Sequence, residues 1–94
     1  NHFGFVYDIK PGNGIGYVVP QKLYVEDADE TVSLKFRVAH PFKDINILIK
    51  EGEHILKKIY KPAIIPSEME IVKLNKSLFM KENKEIVVMV EEKK

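Results

Sequence analysis

Apolar and polar residues alternate with period two along Thr31 to Ala39, "TVSLKFRVA". Val32, Leu34, Phe36 and Val38 fall on one side, and Ser33, Lys35 and Arg37 on the other. That is the signature of a strand with one buried face, and a shift of one residue would bury the charges. Pro41 ends it, because proline drives the preceding His40 into extended or turn backbone. "DINILIKEGEHILKKIYK" (Asp44 to Lys61) predicts a hairpin, with Ile45, Ile47 and Ile49 on one face and Gly52 taking a positive φ in the turn. On the return strand Ile55 and Ile59 share a face, with Lys57 between them. Because Lys57 and Lys58 are adjacent, a regular strand must aim one of them inward, so this strand either sits at a sheet edge or carries a bulge, and the edge is the favoured reading.

"EMEIVKLN" (Glu68 to Asn75) predicts a short strand with Met69 and Ile71 inward, joined by Leu74. "KSLFMKENK" (Lys76 to Lys84) predicts a turn with one helical loop that sends Leu78 or Phe79 into the core. "EIVVMVEE" (Glu85 to Glu92) is apolar on both faces, as in a central or covered strand. Ahead of these, "FGFVYDI" (Phe3 to Ile9) and "GYVVPQKLYV" (Gly16 to Val25) supply one strand or two. Six to seven short strands with proline-marked turns and no sustained helical stripe predict an all-β, Ig-like or fibronectin-type β-sandwich, residues 1–94 forming a single domain. The predicted core is Leu34, Phe36, Val38, Ile45, Ile47, Ile49, Ile71, Val88 and Val90.

Composition narrows the chemistry. The 94 residues carry 15 Lys plus Arg against 14 Asp plus Glu, a net charge of +1. That balance removes the basic excess by which nucleic-acid binders neutralise phosphates. No apolar run is long enough for a membrane span. With no cysteine in the chain, disulfides, thiolate nucleophiles and Cys-ligated metals are excluded. The opening "NHFGF" has no initiator Met and no signal pattern, so the sequence is expected to be an excised piece of a longer chain.

The candidate sites are few. Gly12-Asn13-Gly14-Ile15-Gly16 brings three glycines together, but a dinucleotide fingerprint needs G-x-G-x-x-G between a strand and a helix. Here a strand ending in Pro20 follows, so the loop is expected to be structural. "EDADE" (Glu26 to Glu30) lacks the glycine bend and distal Glu of a calcium loop and is expected to be a solvated connection. His2, His40 and His54 do not pair at metal-ligand spacing. Ser33, Ser67 and Ser77 sit in no G-x-S-x-G elbow, so a hydrolase would need a pocket joining one of them to His40 or His54. Among the aromatics, Phe36 belongs to a buried face, and Phe3, Phe5 and Tyr7 share one strand face that is either a core seam or a former interface. No catalytic, cofactor-binding or metal-ligating residue is assigned.

Three stretches carry a resemblance: "GNGIGYVVPQKL", "LKFRVAHPFKDINILIKEGEHILKK" and "PSEMEIVKL". Together, from Gly12 to Leu74, they resemble the C-terminal region of bacterial FAD- and NAD(P)-dependent oxidoreductases of the pyridine nucleotide-disulfide type. The shared elements are the "YVVPQ" strand (Tyr17 to Gln21), the "RV-x-x-P" strand and turn (Arg37 to Pro41), the basic hairpin (Ile47 to Lys58) and the "P-x-EM" lead-in (Pro66 to Met69). The resemblance implies a cytoplasmic parent enzyme whose FAD and NAD(P) sit in upstream Rossmann-type domains. This chain would then be non-catalytic, hold no cofactor itself, and pack on those domains, aid oligomerisation or dock a partner subunit. A stand-alone Ig- or fibronectin-like adhesion module of an envelope protein is the alternative.

Overall fold

The computed structural model describes residues 6–24, 30–80, 82 and 84–92. Their strands are β1 (Val6–Pro11), β2 (Ile15–Val19), β3 (Lys22–Tyr24), β4 (Thr31–Val38), β5 (Phe42–Glu51), β6 (His54–Ile64), β7 (Glu70–Asn75) and β8 (Glu85–Glu92). One 3-10 turn, Lys76–Leu78, precedes β8. The fold is all-β in two sheets, a five-stranded one in the order β3-β1-β8-β5-β6 and a three-stranded one in the order β2-β4-β7. Pairing is antiparallel except between β1 and β8, which run parallel. Among the described residues no helix is long and apolar enough to cross a membrane.

Among the described residues eight strands replace the expected six to seven, because the N-terminal stretch forms three. Gly12 to Gly14 turns the chain after β1, and Pro20 separates β2 from β3. One core cluster draws on both sheets: Tyr7 and Ile9 from β1, Val18 from β2, the inward positions of β4 and β5, Val72 and Leu74 from β7, and Ile86, Val88 and Val90 from β8. Each such side chain contributes about 1.5–3 kcal/mol by leaving water. All but one of the predicted core residues are buried; the exception is Ile71, 56% exposed. Strand β7 pairs with β4 as Leu34↔Val72 and Val32↔Leu74, so the inward residues are Val72 and Leu74. A strand that buried Ile71 would also bury Lys73, which settles the register.

Strand β6 lies at a sheet edge, as its lysines predict. A register shift opposite Ile49 and Lys50 leaves Leu56 as an extra residue. This bulge separates Ile55 from Ile59: Leu56 and Ile59 pack on the core, whereas Ile55 is 53% exposed. Lys57 is the lysine aimed inward, and at an edge it escapes burial by crossing to the other sheet. Its ammonium donates to the Lys73 carbonyl at 3.1 Å. Four residues further along β6, Lys61 meets Glu70 of β7 at 2.7 Å. The edges β6 and β7 are thus tied by the lysine side chains of β6.

Gly52 has φ 62° at the first central position of the two-residue β5–β6 turn, where a II′ hairpin takes glycine. Phe79, not Leu78, enters the core. Its ring packs 5.2 Å from that of Tyr7. Strand β8 is central, between β1 and β5.

Candidate functional site

The glycine loop is held by backbone contact. The Gly12 amide donates to the Val88 carbonyl at 2.7 Å, and the Val90 amide donates to the Asn13 carbonyl at 2.8 Å. The loop is therefore stitched to β8. A Cβ on Gly12 would lie 2.7 Å from Val87 Cγ1. Gly14 has φ 82°, and a Cβ there would lie 2.9 Å from both Phe42 and Val90. These glycines permit close approach of backbone to a strand, and the segment after them is β2.

Beyond the loop, a cleft of roughly 360 Å³ opens where β1, β2 and β3 meet. Its lining includes Asp8, Lys10, Tyr17, Gln21 and Lys22. The Lys22 ammonium donates to Asp8 at 2.8 Å. That hydrogen bond, reinforced by the charge, lowers the Asp8 carboxyl below its ordinary range and raises Lys22. The cleft's one carboxylate is thus committed to its neighbour, and neither serine nor histidine lines the space.

The histidines are scattered. His40 lies over the Phe42 ring, with centroids 4.2 Å apart, near the start of β5. His54 pairs with Glu51 at the far end of β5 and faces Glu82 at 3.8 Å. Nine residue steps of about 3.3 Å put the two ends some 30 Å apart. Ser33 is exposed on β4, Ser67 lies between β6 and β7, and Ser77 is in the 3-10 turn. Among the described residues no three His, Cys, Asp or Glu gather as a metal site would need. His2, Phe3, Phe5 and Glu26 to Asp29 lie outside the described residues.

The outward face of the three-stranded sheet adjoins the cleft through Tyr17. Cross-strand pairs set its pattern: Tyr17↔Arg37, Val19↔Lys35, Lys35↔Ile71 and Ser33↔Lys73. Tyr17 is 43% exposed and Ile71 56%. The outward positions of these strands carry three cations, Lys35, Arg37 and Lys73, and no carboxylate. The one acid on the three strands, Glu70, pairs with Phe36 on the inner side and meets Lys61. Arg37 is half-buried, and its Nε is shut off from solvent with no hydrogen-bond partner among the described residues. Period-two reading marks Arg37 as outward but does not disclose this, because the cross-strand neighbours come from distant sequence.

A second buried polar group also escaped sequence reading. Glu51 is fully buried at the end of β5. Its Oε1 accepts from the Tyr7 hydroxyl at 2.8 Å and from the Met80 amide at 2.7 Å. Its Oε2 accepts from the Glu82 amide at 2.8 Å. The carboxylate ties β1, β5 and the chain entering β8 together, a structural latch rather than a reactive group. The available signal was its place two residues beyond Ile49 on the inward face.

Comparisons with known protein families, curated proteins and solved structures return no match.

Proposed function

We propose that this chain is a non-catalytic accessory domain of a bacterial, cytoplasmic FAD- and NAD(P)-dependent oxidoreductase. On this reading it is an Ig-like or fibronectin-type β-sandwich that packs on the cofactor domains or docks a partner subunit. Strand order supports the sandwich type. Strands β4, β5, β6, β7 and β8 pass between the sheets as B, C, C′, E and F do in an immunoglobulin domain, with β2 beside β4 in the place of A. The departure is β1, which takes the place of G beside β8 but runs parallel to it.

The observation that carries the docking role is the outward β2–β4–β7 face, where exposed Tyr17 and Ile71 lie among cations that have no carboxylate beside them. Exposed apolar area ringed by polar groups is the mark of an interaction surface. The residues of the resemblance fit the same role, since Gly12 and Gly14 secure backbone packing and hold no reactive group. The oxidoreductase assignment rests on that resemblance. It is tested by purifying the natural polypeptide that bears this sequence and recording its visible spectrum. Flavin absorbance that is released on denaturation is expected. A colourless polypeptide, or one with a secretory signal and repeated sandwiches, would overturn the assignment and favour the adhesion module.

A further inference from the structure

We infer that Asn13 is a site of spontaneous deamidation guarded by the turn between β1 and β2, so that the modification follows the opening of that turn from β8 and prevents its reclosing. This holds whichever polypeptide carries the domain and does not rest on the docking role. The sequence supplies the chemistry. Of Asn1, Asn13, Asn46, Asn75 and Asn83, only Asn13 is followed by glycine, which leaves the next backbone nitrogen unshielded by a side chain. The Gly14 nitrogen attacks Asn13 Cγ, the Cγ–Nδ2 bond breaks, and ammonia leaves with the Gly14 amide proton. Water then opens the five-membered succinimide. Cleavage at Cγ gives aspartate, and cleavage at the backbone carbonyl gives isoaspartate, whose main chain runs through Cβ and Cγ. One water is consumed and one ammonia released, with no change of oxidation state.

Asn13 is exposed, so solvent reaches it. The turn nevertheless holds it in an unreactive geometry. The Ile15 amide donates to the Gly12 carbonyl at 3.1 Å, which closes a turn centred on Asn13 and Gly14. Gly14 has φ 82° and Asn13 a negative φ, so the turn is of type II. Its first central residue then has ψ of about +120°. Ring closure needs the Gly14 nitrogen to eclipse Cβ about the Asn13 Cα–C bond, and at that ψ the nitrogen is turned away. Bringing it round swings the Asn13 carbonyl off the Val90 amide, which donates to it at 2.8 Å. The leaving group is held as well, because Asn13 Nδ2 donates to the Val90 carbonyl at 3.3 Å. The Gly12 amide on the Val88 carbonyl and the Ala39 amide on the Gly14 carbonyl fix the turn from both sides. Cyclisation therefore waits for local opening.

Neither product restores the turn. Isoaspartate adds one main-chain carbon between the Gly12 amide and the carbonyl of residue 13, the two groups that match Val88 and Val90 on β8. Aspartate keeps the main chain but turns an acceptor toward the Val90 carbonyl where the amide had donated. Both products carry a new carboxylate, which cancels the chain's net charge of +1 and makes them separable by ion exchange.

The test incubates the 94-residue chain at mildly alkaline pH, folded and in guanidinium chloride, and follows Asn13 by peptide mass mapping. A capped peptide of residues 10–16 in both buffers gives the rate free of the fold. The unfolded chain is expected to deamidate at Asn13 at the peptide's rate, and the folded chain about tenfold or more slowly. Gly12→Ala places a Cβ 2.7 Å from Val87 Cγ1 and loosens the turn without altering the Asn13–Gly14 pair, so its rate should fall between the two. Should NMR signal dispersion show that variant unfolded, wild type below its unfolding midpoint replaces it, and its rate should rise with denaturant. Asn13→Gln should show no charge change at this site. The isoaspartate chain, separated and returned to native buffer, should lose hydrogen-exchange protection at the Val90 amide and melt about 4 °C or more below the fresh chain. Equal rates in the folded and unfolded chain would remove the guard, and an unmodified Asn13 in denaturant would remove the site. An isoaspartate chain with the fresh chain's melt and Val90 protection would show that the turn recloses. Each of these overturns the inference.

Discussion

Replacing Glu51 tests the latch at the end of β5. The carboxylate is fully buried and accepts from the Tyr7 hydroxyl and from the Met80 and Glu82 amides. Hydrogen bonds to a charged acceptor contribute about 1.5–3 kcal/mol each, and a donor stranded in the interior costs about 1–3 kcal/mol. Met80 and Glu82 are exposed residues, so their amides can turn to water once released. The Tyr7 hydroxyl belongs to a fully buried residue and has less opportunity to do so. Glu51→Ala should therefore cost about 3–5 kcal/mol, near the upper end of single-residue effects and a large part of the roughly 5–10 kcal/mol that holds a domain of this size. Glu51→Gln should cost about 1–3 kcal/mol. Its carbonyl oxygen can keep the two bonds made by Oε1, while its amide opposes the Glu82 amide, donor against donor. Urea unfolding gives both values, and amide exchange at Met80 and Glu82 reports whether the chain entering β8 is released. An alanine variant within about 0.5 kcal/mol of wild type, the range of an ordinary surface substitution, would refute the latch.

Other substitutions test the core, the loop and the cleft. Phe36 is fully buried, so Phe36→Ala should cost about 3–5 kcal/mol, and a thermal melt that matches wild type would remove it from the core. Gly14→Ala adds a Cβ 2.9 Å from Phe42 and Val90 at φ 82° and should cost about 1–3 kcal/mol in a chemical melt; an unchanged midpoint would mean the loop does not need glycine. Because Lys22 lowers the Asp8 pKa, their pairing stabilises above the ordinary aspartate range and is lost as pH falls through the lowered folded value. Lys22→Met should return the Asp8 carboxyl titration, followed by carbon-13 NMR, toward its ordinary value, and an unmoved titration would contradict the pairing.

Much of the fold was legible where the pattern was local. The alternation of β4, the hairpin glycine at position 52 and the adjacent lysines that mark β6 as an edge each follow from a few neighbouring residues. The register of β7 was harder, because Met69, Ile71, Val72 and Leu74 supply apolar residues to both faces. Lys73 resolves it, since the face that includes Ile71 includes a lysine and the face of Val72 and Leu74 does not. The parallel pairing of β1 with β8 joins opposite parts of the sequence and leaves no local signature. The same holds for the candidate site. Lys35 and Arg37 are visible as outward residues, but Tyr17 and Ile71 reach them only through pairing with β2 and β7. Glu51 reads as part of a polar turn, yet the Ile45–Ile47–Ile49 alternation continues through it onto the inward face.

The claim that this domain docks through its β2–β4–β7 face is tested most directly by side-chain footprinting. The 94-residue chain and the natural polypeptide that bears it would be labelled in parallel with a photoactivated carbene. Tyr17 and Ile71 should label readily in the 94-residue chain and be protected in the natural polypeptide, while exposed Ile55 on β6 labels equally in both. Equal labelling of Tyr17 and Ile71 in the two samples would contradict the account.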